Sequence, residues 1–180
     1  MSLQDFSRAW GDGLSPVTSS SLQVGRLSNT TKQFLEEVGL PQEAKPNLTF
    51  YSSPDVMAPL PSVLDEVDLP SDFQRYLLLA DDGGTFLCID AKNNEHIVSV
   101  DAYQELPIRF VNSAVPEFAE CLLAYRALPV PEQTKTVDKR TLKHQLDQLK
   151  EQFDKIDAAA LNNPDNWWAV VIEELEIFTR

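Results

Sequence analysis

The residues of this chain that could do chemistry are few. Cys88, Cys121, His96, His144 and the acidic turn Asp81-Asp82-Gly83-Gly84 are where a nucleophile, a metal or an acid–base pair would sit. A calcium loop needs oxygen ligands at alternating positions and a distal Glu, and the Asp81–Gly84 stretch lacks that spacing. Asp-Gly does supply the positive φ of a tight hairpin connection, so a turn is expected there. A Cys88–His96 dyad would need adjacent antiparallel strands, and a mid-strand thiol lacks the exposed, electropositive setting that yields a thiolate. Asp90 and Asp101 would act as a glycosidase pair only across a cleft, and no cleft is legible. The two histidines lie on separate elements without neighbouring ligands, which argues against zinc. No phosphate-cradling glycine loop, nucleophile elbow or helical His-Glu pair of the zinc-protease kind occurs. The expectation is no catalytic residue, no metal and no cofactor.

Of these residues Cys88, His96 and the acidic turn sit in or beside a series of short strands, while Cys121 and His144 fall on helical patterns. Gln74–Ala80, Thr85–Asp90, Glu95–Asp101 and Pro107–Asn112 are runs rich in branched and aromatic residues, separated by Asp, Gly and Asn clusters. That is the signature of consecutive antiparallel strands. The second run is apolar on both parities, through Phe86 and Cys88 and through Leu87 and Ile89, and should be central with both faces covered. The third is half polar, with Ser99 and Asp101 on the parity of Ile97, and should lie nearer an edge or a wet face. A further strand is expected at Asn47–Tyr51.

Helical signals flank the strands. Thr30 with Gln33 has capping-box spacing, Phe34, Leu35 and Val38 form a stripe, and Gly39 and Pro41 close it. A second helix is expected after Asn112-Ser113, with Ser113 as cap, Pro116 in the first turn, and Val115, Phe118, Cys121, Leu122, Tyr125 and Leu128 facing the core; Pro129 and Pro131 end it. A third should run from about Asp138 to Ala159 on a seam of Leu142, Leu146, Leu149, Phe153, Ile156 and Ala160. This short seam suits docking within the chain, and also allows a weak dimer. Asn163, Pro164 and Asp165 should start a last helix carrying Trp167, Trp168, Val171, Leu175 and Phe178, with one tryptophan in the core and the other partly exposed or on the preceding helix. Residues 1–27 read as an irregular arm pinned by Phe6 and Trp10, and 52–72 as a proline-rich extended loop with a helical turn near Ser62–Glu66. The fold class is therefore α+β: a small, mainly antiparallel sheet packed by helices, with two C-terminal helices. The organisation is an arm (1–27), an α+β core (28–131) and a helical pair packed on it (132–180), one domain overall.

Bulk composition bounds the partners. The 180 residues are 43% hydrophobic, enough for a packed core. With 28 acidic and 15 basic residues the net charge is −13. Nucleic acid and anionic membranes both select a basic footprint, so neither is an expected direct ligand. A basic protein partner suits this charge, and steering would speed the encounter; plain solubility is the competing reading. Cys88 and Cys121 read as buried free thiols. No apolar leader segment opens the sequence and no run is long enough to span a bilayer, so the cytoplasm is the expected location.

Four motifs in order carry a family resemblance. They are Thr31-Lys32-Gln33-Phe34-Leu35 followed by Val38-Gly39-Leu40-Pro41; Leu77–Ile89 around Asp81-Asp82-Gly83-Gly84; Phe110-Val111-Asn112-Ser113 followed by Phe118 and Leu122; and Ile156-Asp157-Ala158-Ala159-Ala160-Leu161 leading to Trp168 and Glu173-Glu174. Their order and spacing resemble the SUKH superfamily, and within it the SUKH-4 type of immunity protein. The third helix is longer and more charged than that pattern, and 52–72 more proline-rich.

The resemblance implies a non-enzymatic α+β domain that binds and neutralises a cognate protein toxin in a bacterial toxin system, a nuclease or deaminase being the type whose basic surface would suit this charge. The residues that carry it, Gly39, Pro41, Gly83, Asn112, Ser113 and Trp168, look structural. The candidate partner contacts are the acids at turns and strand ends, Asp81, Asp82, Glu95 and Asp101; the competing reading makes them ordinary solvated turn acids. A general regulatory scaffold on the same fold, and a carboxylate hydrolase using Asp90 and Asp101, are the rival functions.

Overall fold

The computed structural model describes residues 1–23, 27–64, 67–103, 105, 107–128 and 138–177. Strands β3 (Glu43–Ala44), β4 (Leu48–Phe50), β5 (Tyr76–Asp81), β6 (Phe86–Asp90), β7 (His96–Val100) and β8 (Arg109–Asn112) form one antiparallel sheet in sequence order. A separate two-stranded ladder pairs β1 (Leu14–Ser15) with β2 (Leu40–Pro41). The helices are α1 (Leu3–Trp10), α2 (Asn29–Glu37), α3 (Leu60–Val63), α4 (Val115–Arg126), α5 (Lys139–Asp157) and α6 (Trp167–Ile177). The architecture is α+β with two C-terminal helices, as the sequence predicts.

Both faces of the sheet are covered because the central strands are apolar on both parities. Leu77, Leu79, Leu87, Ile89, Ile97 and Val111 point into the main core, which α4, α5 and α6 close with Phe118, Leu122, Phe153 and Trp168. Tyr76, Leu78, Cys88, Val98 and Val100 point the other way into a second core. The proline-rich segment covers that second face, laying Leu60, Val63, Leu64, Leu69 and Phe73 over it. Met57 N–H donates to Leu78 O at 2.8 Å and Leu78 N–H to Ala58 O at 2.9 Å, so this segment is stitched to β5. Its prolines suit a layer that packs by side chains and leaves few N–H groups to satisfy.

The α4 stripe is buried from Val115 to Tyr125. On α5, Leu142, Leu146, Leu149 and Phe153 are buried within the chain and the helix packs on α4, while Ile156 is half-buried. Gly39 closes α2 at φ +76; a Cβ there would lie 2.1 Å from Ser15 O, so β1 and the α2 terminus approach at a distance only glycine allows.

Several local details depart from the sequence reading. Residues 3–10 are helical and Phe6 and Trp10 are both buried, so the arm is pinned by a helix whose N-cap is Ser2. Ser28, not Thr30, caps α2 by accepting from Thr31 N, and Gln33 donates to Glu37 one turn on. Ser113 does not cap α4, since its hydroxyl is drawn to Asp157. Asn163 caps a turn rather than a helix, and α6 begins at Trp167. Both tryptophans of α6 are buried. β7 is second from the edge yet buried, because Ser99 finds a partner in Thr85 Oγ1 at 2.5 Å. Pro129, Pro131 and Phe178, expected to end α4 and extend the α6 stripe, lie outside the described residues.

Candidate functional site

The strand register sorts the candidate acids in space. Asp81 ends β5 opposite Phe86, and Phe86 lies opposite Val100. The 82–85 turn and the connection from Asp101 to β8 therefore leave from one end of the sheet, with Asp81, Asp82 and Asp101 together. Glu95 lies in the turn at the other end, beside the Asp90–His96 pair. A five-residue strand is about 17 Å long, which separates the two groups.

Each acid is also engaged within the chain. Asp81 Oδ1 accepts from Gly83 N at 3.2 Å. Burial first, then the Asp81 carboxylate, pushes the Tyr51 phenol up to about 12. Asp82 accepts from Gly84 N (3.0 Å), Thr85 N (2.6 Å), Thr85 Oγ1 (3.0 Å) and the indole N–H of Trp167 (2.8 Å). It thus shapes the turn and ties it to α6. Asp101 is only 7% exposed and accepts from Tyr103 N and Glu105 N, both at 2.9 Å. Glu95 accepts from Ser28 N, Ser28 Oγ (2.9 Å) and Thr31 Oγ1 (2.5 Å), bracing the start of α2.

A second polar cluster lies inside the main core and gathers the motif residues. Asp157, at the end of α5, accepts from Asn112 Nδ2 (2.9 Å), Ser113 N (2.7 Å) and Ser113 Oγ (2.9 Å). Asn112 Oδ1 in turn accepts from the Trp168 indole N–H at 2.8 Å. Asn112 and Trp168 are fully buried, and Phe153 and Tyr125 pack on the Trp168 ring at 4.8 and 5.5 Å between centroids. Every donor here meets an acceptor, which is how a buried carboxylate is tolerated. The cluster locks β8, α5 and α6 together, and offers no open position for a substrate.

The catalytic alternatives fare as follows. Cys88 is fully buried and burial pushes its thiol up, away from the thiolate a nucleophile requires. Asp90 and Asp101 stand at opposite ends of β7, and Asp90 is held by Arg75 through Nε (2.8 Å) and Nη2. Arg75 is raised by its hydrogen bond to Asp90, against the opposing effect of burial. Among the described residues no group of three or more His, Cys, Asp or Glu is placed to hold a metal ion.

The sheet end carrying Asp81, Asp82 and Asp101 also carries residues that sequence reasoning missed. Tyr103 is 76% exposed and Ile108 44% exposed, two of four large exposed hydrophobics among the described residues. Ile108 precedes β8 on the parity of Phe110, which packs edge-on against His96 at 5.3 Å between ring centroids. The available signal was an aromatic and an isoleucine inside a polar connection between strands. Compared with known proteins, residues 1–174 match the family model described as SUKH-4 immunity protein. No curated protein and no solved structure matches the chain.

Proposed function

Because the chain belongs to the SUKH-4 immunity protein family, we propose that it neutralises a cognate bacterial toxin by binding it directly. The observation that carries this reading is the match across residues 1–174, nearly the whole chain. The toxin is a basic protein, a nuclease or deaminase that handles nucleic acid, and the net charge of −13 supports that choice by complementarity. Inhibition is steric, by contact with an acidic surface in which Asp81 and Asp82 form one group and Glu95 a second, with Asp101 buried behind the first and acting through the backbone it holds. The working location is the cytoplasm of the producing bacterium. No helix is long and apolar enough to cross a membrane, among the described residues. The α5 seam is engaged with the chain's own core, which supports a monomeric binder.

The test is co-expression with the protein encoded by the adjacent gene, followed by a pull-down at low and high salt. Protection together with binding that weakens as salt rises is the expected result. Absence of protection and of binding at either salt overturns the reading, and a native interactome dominated by housekeeping proteins would point to a regulatory scaffold.

A further inference from the structure

The cover on the second sheet face is incomplete. Leu60, Val63, Leu64, Leu69 and Phe73 pack over the cluster that runs from Tyr76 on β5 to Val98 and Val100 on β7. β8 lies beyond β7 at the sheet margin, and its Phe110, opposite Val98, is only half-buried. Ile108 continues the same face outward and is exposed, and Tyr103 stands in the connection at the same end. Most exposed apolar side chains on a protein are single and need no explanation. Here two fall within one short connection and adjoin a half-buried phenylalanine, which is the beginning of a patch.

Two backbone amides of the connection have a common acceptor. The buried Asp101 carboxylate accepts from both Tyr103 N and Glu105 N, which anchors the amide of the tyrosine itself. A tyrosine on a braced backbone loses little freedom on binding, and tyrosine is among the residues that most often dominate interface energetics. Glu105 is exposed in the same connection, and Asp81 and Asp82 are half-buried at the same end of the sheet, across β6 and β7, so the apolar residues share that end with acids.

We propose that Tyr103 and Ile108, with Phe110 behind them, are the apolar anchor of the toxin-binding surface. The occupant is a basic protein that presents an apolar recess flanked by Lys and Arg. The charge of the chain and the acids around the anchor supply the complementarity. This surface rests on the immunity reading and deepens it. Asp101 is then a positioning residue that presents Tyr103, while Asp81, Asp82 and Glu105 govern approach.

The experiment measures the affinity of the purified chain for the adjacent gene's product, using wild type, Tyr103→Ala, the double variant Tyr103→Ala/Ile108→Ala, and Ile177→Ala as an equally exposed control. Light scattering of each chain alone accompanies it. Tyr103→Ala should weaken Kd at least tenfold and the double variant about a hundredfold, within the range of interface hot spots. The melting temperature should not move, because both side chains are exposed. Ile177→Ala should bind like wild type, and the salt dependence of binding should persist in Tyr103→Ala because the acids are intact. A double variant within threefold of wild type overturns the anchor while leaving the immunity reading standing. So does a wild-type dimer that the double variant dissolves with partner affinity unchanged, since the patch is then a contact between copies. A wild-type chain that neither binds nor protects removes the immunity reading and the anchor with it.

Discussion

Replacing Asp157 by alanine should cost this fold a substantial part of its stability, although the residue is one carboxylate among many. Three donors lose a carboxylate acceptor: Asn112 Nδ2, which keeps only a weak sulfur acceptor in Cys121 Sγ at 3.5 Å, Ser113 N and Ser113 Oγ. Asn112 is fully buried, so water cannot replace the bond, and an orphaned buried donor costs about 1–3 kcal/mol. Ser113 is half-buried and partly rescued by solvent, which adds roughly 1–2 kcal/mol for its two donors. Relief from burying a charge offsets some of this. The net expectation is about 3 kcal/mol, out of a typical total of roughly 5–15 kcal/mol. For a chain of this size that is a melting temperature lower by about 6–12 °C. Asp157→Asn keeps the shape and one acceptor and should lose only about 1–2 kcal/mol. Trp168→Phe orphans Asn112 Oδ1 instead. Because both changes act on Asn112, the double variant Asp157→Ala/Trp168→Phe should lose less than the sum, by about 0.5–3 kcal/mol. Urea unfolding followed by far-ultraviolet circular dichroism reads wild type and all four variants without depending on tryptophan. An Asp157→Ala protein within about 0.5 kcal/mol of wild type, the ordinary range for a surface change, would refute the reasoning.

Gly39→Ala should destabilise by more than about 2 kcal/mol, since it combines positive-φ strain with a Cβ 2.1 Å from Ser15 O. Gly83→Ala, at φ +85 with open space around it, should cost only about 1–2 kcal/mol; equal losses in thermal melts would contradict the steric argument. Asp82→Ala should loosen the turn and free the Trp167 indole, seen as a shift in tryptophan emission and a loss of about 2 kcal/mol; an unchanged spectrum would count against that link. Alkaline pH should destabilise the chain. Burial raises the Cys88 thiol, the Cys121 thiol to about 12 and the Tyr125 phenol to about 12. The native state keeps protons that the unfolded chain releases, so this contribution is whole below about pH 8.5 and declines above it, by ~1.4 kcal/mol per pH unit for each thiol past its unfolded value. A urea midpoint unchanged between pH 7.5 and 10.5 under reducing conditions would contradict it.

What was legible in the sequence is what local pattern encodes. The strands from Tyr76 to Asn112 follow from alternation and turn chemistry, and the α4 stripe and α5 seam from helical spacing. The cover on the second sheet face was not legible, because a segment broken by Pro54, Pro59, Pro61 and Pro70 has no period to read. The α4 cap was misplaced because a distant partner, Asp157, captures the expected Ser113 side chain. The acids show the same limit. Nothing near Asp82 marks it as the acceptor for an indole 85 residues away, or near Glu95 as the brace of a helix cap 67 residues earlier. A solvated acid and a committed one look alike until the chain is folded. The position of Asp81, Asp82 and Asp101 at a common end follows from register, which the turn lengths implied only in outline.

The cluster around Asn112 also sets a clock on synthesis. Its partners arrive late: Asp157 lies 45 residues downstream of Asn112, and Trp168 56 residues downstream. At roughly 5–20 residues per second, the finished strand waits about 3–11 s on the ribosome for the second of them. Through that interval Asn112 Oδ1 is without its indole donor and the helix-facing side of the sheet is without α6. A nascent or truncated chain that ends before Trp168 therefore holds Asn112 through Asp157 alone and lacks the bond that ties β8 to α6.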